Sequence, residues 1–247
     1  MFGFQFDRRM INIIIGILLL AAIIQFAANP GMLFSIVLSI PGVLVAITFH
    51  EFAHAFAADK LGDDTARREG RLNLNPLSHL DPIGTLMLVV AGFGWGKPVH
   101  VDPRNYTRKM PMDKCEAIVS AAGPIMNIVL AFIFALIYCA VYKFGSMAFL
   151  SSTAGGIILL ILQDIVITNI GLGVFNLIPL PPLDGSKIIM PFLSYNAKQW
   201  FMNNEGIFYI IFVVLWITGI AGIIISPVIN WISIGILDLA KMIFGLG

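Results

Sequence analysis

Long, almost uniformly apolar stretches alternate with shorter polar ones along this chain, and the lengths of the apolar stretches carry the first information. A helix needs about 20 residues to cross a hydrocarbon layer of about 30 Å. Stretches of that kind lie near residues 10–28, 33–58, 115–142, 156–180, 206–225 and 227–245, which predicts about six transmembrane helices. The first follows Arg8 and Arg9 but has a longer apolar run than a usual signal peptide, so it is read as a helix. Only Ser226 and Pro227 separate the last two, and a tight hairpin is expected there.

Residues 59–114 break the helical pattern. GRLNLNP and GKPVHVDP alternate their side chains like short strands, and Pro76, Pro82, Pro98 and Pro103 punctuate them. Between them DPIGTLMLVVAGFGWG has an apolar part of about 10 residues, too short to span, so it is expected to dip into the membrane and return. The expected fold class is therefore an all-α polytopic membrane protein with a small membrane-associated β and re-entrant region over residues 70–103.

Composition agrees with the pattern. Of 247 residues, 58% are hydrophobic and 12% charged, and the mean hydropathy is +0.91. A lipid bilayer is thus a partner, and a net charge of +1 without a concentrated basic face argues against nucleic acid. With the N-terminus in the cytoplasm, alternate crossing puts every lysine and arginine except Lys143 inside. Cys115 and Cys139 have no CxxC or histidine beside them and are read as packing residues.

One apolar span ends in an expensive way. TFHEFAHAFAAD places His50, Glu51 and His54 at the cytoplasmic end of the second span, where a charged group costs roughly 2.5 kcal/mol or more at the bilayer centre. HEFAH is an H-E-x-x-H pattern: His50 and His54 share a helix face and can present two nitrogens to one Zn²⁺, with Glu51 adjacent to take a proton from water. Zinc sites of this kind use three protein ligands. Asp184, after NLIPLPPL at the cytoplasmic end of the fourth span, is at the right depth, and Asp164 in LILQDIVITN is its competitor as an intramembrane acid. His79, Asp81, His100 and Asp102 are weaker candidates. Pro179, Pro181 and Pro182 must break the helix, which turns Asp184 sideways into the bundle.

FHEFAH, NPLSHLDPIGT, GWGKPVHVDP, AAGPIMN and FNLIPLPPLDG, in that order, resemble the site-2 protease family of intramembrane zinc metalloproteases over roughly residues 33–195. The resemblance implies a single membrane protease domain with a three-helix catalytic core, preceded by a first span in residues 1–32 and followed by a helical hairpin in residues 196–247. It further implies His50, His54 and Asp184 as zinc ligands, Glu51 as general base, and Asn127 beside the substrate or its oxyanion, while in lipid an Asn after Gly123 and Pro124 equally suits a helix-to-helix hydrogen bond. The implied substrate is a transmembrane protein, cleaved in a prokaryotic cell membrane with the active-site end cytoplasmic. Short outside loops and the last residue, Gly247, are expected of a minimal form without the PDZ or CBS domains of many relatives. Three rival classes are open: a zinc or proton-coupled transporter, against which the absence of an internal repeat speaks; a proteolytically silent binding protein, which would not need Glu51; and a different zinc hydrolase with HExxH in a membrane helix, which commonly uses a glutamate as third ligand, whereas no second Glu here is read as intramembrane.

Overall fold

A computed structural model describes residues 27–91, 94–107 and 110–246, with isolated positions between 16 and 24. The first expected span therefore lies mostly outside the described residues. In chain order the helices are α1 (Pro30–Lys60), α2 (Thr65–Arg68), α3 (Pro76–His79), α4 (Pro82–Ala91), α5 (Met112–Phe144), α6 (Met147–Leu150), α7 (Thr153–Asn176), α8 (Asp184–Ile189), α9 (Tyr195–Asn203), α10 (Glu205–Ile217) and α11 (Ile220–Phe244). Four of them, α1, α5, α7 and α11, are long and apolar enough to cross a membrane.

The packing is inverted relative to a water-soluble bundle. Small or slender side chains meet inside, with Ala131, Ala135 and Cys139 of α5 against Val166, Ile170 and Val174 of α7 and Ile225 and Ala240 of α11. Large apolar ones point out, as Ile125, Val129, Ile133 and Ile137 do at one-turn or near one-turn intervals along α5. Lipid tails are as apolar as a core, so helices gain by close approach of small faces rather than by hiding leucines. The core helices α1, α5 and α7 pack pairwise on one another, and α11 closes the outer side of α5 and α7. Cys115 and Cys139 are buried free thiols, as expected of packing residues.

The C-terminal part departs from the expected hairpin. Its break falls at Gly219, whose φ of +74° suits glycine, while Pro227 lies inside α11. A proline within a membrane helix is tolerable when nearby groups re-satisfy the backbone. The 13 residues of α10 reach only about 20 Å, too short to cross. Trp216 at its end packs on Phe175, at the site end of α7, so α11 starts from that end and runs parallel to α5. Phe244 consequently meets Lys143, whose Nζ donates to the Phe244 carbonyl. Lys241 is thereby placed at the Lys143 end of the bundle, not with Lys187 and Lys198 as alternate crossing had it.

The expected strands of residues 70–103 are also absent. Among the described residues the only pairing is an isolated antiparallel bridge between Leu80 and Gly96. Side chains take the place of a ladder: Arg71 Nη2 donates to the Lys97 carbonyl at 2.7 Å, and Val99 N–H donates to Glu51 Oε2 at 2.9 Å. The short apolar stretch between them forms α4. Asp81 Oδ1 caps α4 by accepting from Gly84 N–H at 2.7 Å, and the chain returns at Trp95, whose carbonyl a Cβ on Gly84 would meet at 2.1 Å.

The turn after α1 is held by Asp63, which is fully buried. It accepts hydrogen bonds from Thr65 N–H, the Thr65 hydroxyl, Asn105 Nδ2 and Asp102 N–H. Burial pushes its carboxyl up, but these donors outweigh burial and hold it below the usual carboxylate range. Its contribution is therefore present above the unfolded value near pH 3.9 and lost as pH falls through the lower folded value. Asp63→Ala, which strands four donors, is expected to cost about 1–3 kcal/mol at pH 7 and to flatten the acid limb of stability, measured by thermal unfolding in detergent between pH 3 and 7.

Candidate metal centre

HEFAH lies two to three turns before the end of α1, and its two histidines are buried. Each ring is held from behind by α5. His50 Nδ1 is 2.7 Å from Asn127 Oδ1, and His54 Nδ1 is 2.7 Å from the Val119 carbonyl oxygen. The Asn127 oxygen is fixed as the acceptor because its Nδ2 donates to the Ala46 carbonyl and to Asn169 Oδ1, both at 3.0 Å. Each Nδ1 therefore carries the proton, and each Nε2 of a neutral ring presents a bare lone pair.

Those lone pairs converge. The two Nε2 atoms are 3.0 Å apart, and Asp184 Oδ2 stands 3.2 Å from each. That oxygen is buried and receives no hydrogen bond from any described residue. Three electron-rich atoms in mutual contact repel one another unless a cation sits among them. Ligands at about 2.0–2.1 Å from a tetrahedral ion lie about 3.3 Å apart, so a zinc ion fits this triangle. His50, His54 and Asp184 are a group that could hold a metal.

Two glycines make room for the triangle. A Cβ on Gly123 of α5 would fall 2.5 Å from His54 Nε2 and 2.7 Å from His50 Cε1. A Cβ on Gly185 would meet the Ile178 and Leu177 carbonyls at 2.3 and 2.4 Å, so only glycine lets the proline-broken chain fold back tightly behind Asp184 at the start of α8. Glu51 shares a cavity of about 440 Å³ with His50, His54 and Asp184, whose walls also include Val99, Tyr106, Glu116 and Lys187. Burial, together with the nearby Glu116 and Asp63 carboxylates, pushes the Tyr106 phenol up, so it stays protonated.

The other sequence candidates are elsewhere. Asp164 bonds to the Thr168 hydroxyl at 3.3 Å and faces Gly42, outside the metal group. His79 is buried with Nε2 at the Asn73 carbonyl, Asp81 caps α4, His100 pairs with Glu69, and Asp102 pairs with Arg104, which holds its carboxyl down at about 2. Asn127 is at the centre, yet behind His50 rather than in the cavity wall; with no exposure and both N–H groups engaged, it has no donor free for a substrate. Asn169 was not anticipated: it accepts from Asn127 and donates to the Ile165 carbonyl at 2.8 Å. A second buried amide in an apolar span, in VITN, was the available signal.

Relatives agree with this chemistry. The chain is 39% identical over 204 residues to a Bacillus subtilis protein with the provisional name zinc metalloprotease YwhC, covering 82% of this chain and 90% of that one. It is 32% identical over 188 residues to Rip2 of Mycolicibacterium smegmatis, provisionally named in the same way, covering 74% and 67%. To MJ0611 of Methanocaldococcus jannaschii, again a provisional zinc metalloprotease, it is 27% identical over 220 residues, covering 86% and 98%. No family model matches the chain, and no solved structure does. On the first of these likenesses, with the HEFAH and LDG halves of a metal site brought together, the chain belongs to the site-2 protease family of zinc metalloproteases.

Proposed function

We propose that this protein is a membrane-embedded zinc endopeptidase that hydrolyses peptide bonds within or near transmembrane helices of other membrane proteins. The observation that carries the reading is the triangle of His50 Nε2, His54 Nε2 and Asp184 Oδ2 opening onto the same cavity as Glu51. When bound, zinc supplies a Lewis acid that polarises a carbonyl and makes water a nucleophile near neutral pH.

The residues divide the remaining work. Glu51 accepts the proton of the attacking water and passes it to the leaving amine; its Oε2 is anchored by Val99 N–H, which fixes the carboxylate in the cavity and leaves Oε1 for the proton. Asn127 is a positioning residue: it keeps the His50 proton on Nδ1 and is itself oriented by Asn169. The cavity brings water to a site otherwise walled by apolar helices. A substrate helix hides its carbonyls in its own i to i−4 bonds, so the cut falls where that helix is locally unwound. Membrane insertion of the four long helices supports a substrate met in the bilayer, since α1 and α5, which build the site, are both spans.

Cleavage of a transmembrane reporter by purified protein in lipid vesicles, with and without a zinc chelator, tests the reading directly. Glu51→Gln is expected to keep stoichiometric zinc and to lower kcat by about 10²–10⁴-fold; undiminished proteolysis overturns the base assignment. Asp184→Asn is expected to lose most zinc by elemental analysis while Asp164→Asn retains it, and the reverse result transfers the ligand role to Asp164. For Asn127→Ala the expectation is a zinc affinity about 10–100-fold weaker. A raised KM at unchanged zinc affinity would instead put Asn127 on the substrate.

A further inference from the structure

Asp164 has no part in the chemistry above, yet it sits mid-way along α7, where an ionisable side chain is expensive. Among the described residues its carboxylate finds one partner, the Thr168 hydroxyl at 3.3 Å, and no cation. It is only half-buried, and opposite it α1 presents Gly42, where a Cβ would stand 2.5 Å from Asp164 Oδ2. The helix interface is thus cut back at the acid, which leaves the carboxylate underused.

A cleft starts beside it. Thr168, one turn along α7, lines a cavity of about 100 Å³ with Leu172 of α7, Val43 and Ile47 of α1, Thr85 of α4, and Trp95 beyond it. Ile47 is one turn before Glu51 on the same face of α1, and a Cβ on Gly96 would lie 2.7 Å from Ile47 and 3.9 Å from Glu51 Oε1. The cleft therefore lies between the acid and the turn of α1 that precedes the base, and Gly96 packs between it and Glu51.

We propose that Asp164 is a specificity-determining residue, accepting a hydrogen bond from a donor side chain (amide, hydroxyl or ammonium) that the transmembrane segment to be cut inserts beside this cleft. The inference rests on the endopeptidase reading. Its occupant is fixed by chemistry: a cleft of this size, walled mainly by Val43, Ile47, Leu172 and Trp95, takes one side chain, and a carboxyl group with a spare acceptor beside it rewards an apolar segment carrying one donor. Gly42 precedes His50 by eight residues, about 12 Å along α1, so the donor sits about eight residues from the cut if the segment is helical and about four if it is extended.

The test uses designed fluorescent leucine/alanine segments of about 20 residues with one helix-weakening point, in which asparagine or lysine is scanned through each position. Binding to Glu51→Gln protein in lipid vesicles is read by energy transfer, and cleavage by the unsubstituted protein as kcat/KM. A donor about four to eight residues from the weak point is expected to improve both by roughly threefold to tenfold over the donor-free segment. That ratio falls to near one with Asp164→Leu, whereas Asp164→Asn keeps the preference for asparagine and loses the preference for lysine. A flat scan, or a ratio unchanged in Asp164→Leu at full zinc occupancy, overturns the assignment. Should Asp164→Leu lose its zinc through misfolding, the asparagine-against-lysine split of Asp164→Asn decides. If no segment is cut by the unsubstituted protein but the positional binding preference persists, the endopeptidase reading fails, and with it the cleavage role of Asp164, which is then left with segment binding alone.

Discussion

The His50 and His54 Nε2 atoms and Asp184 Oδ2 are held within 3.2 Å of one another, and as bare lone pairs they repel unless a cation sits among them. Everything around it serves to hold that repulsion in place. Were either ring free to turn, the lone pairs would swing apart; Asn127 and the Val119 carbonyl prevent it by fixing both Nδ1 protons. Were the helices farther apart, Asp184 would miss; glycine at 123 and 185 brings α5 and the broken chain within reach. The closer the three atoms are held, the more a cation among them gains.

The surroundings strengthen that hold. Behind the rings Asn127 and Asn169 are fully buried, and the hydrogen bonds of the amide chain His50–Asn127–Asn169 are stronger there than in solvent. The chain also ties α7, which contributes no member of the His50–His54–Asp184 group, to that group: its Asn169 orients the amide that orients the ring.

The parts of this design differ in how far the amino-acid sequence reveals them. His50 and His54 were legible because helical spacing alone puts them on one face, and the long spans because lipid demands a length. Asp184 was legible by depth and by family resemblance, since the prolines before it forbid any simple helical register. For Asn127 the sequence left substrate and helix partner both open, because spacing shows that an amide faces the bundle without showing which of its atoms are already bonded. The break at Gly219 was hidden by Pro227, a residue that ends helices in water and is carried inside one here. The strands of residues 70–103 failed for another reason: alternation announces an extended chain, but Arg71 and Glu51 captured the backbone groups that a ladder would have used.

The parallel course of α5 and α11 has a practical corollary. Because Phe244 lies against Lys143 while Asp184 and Lys198 lie at the opposite end of the bundle, a label attached near Leu246 reports on the compartment that the cavity does not face. Paired with a second label near Lys198, it gives an internal measure of sidedness, in which the two sites respond to a membrane-impermeant quencher in opposite vesicle populations.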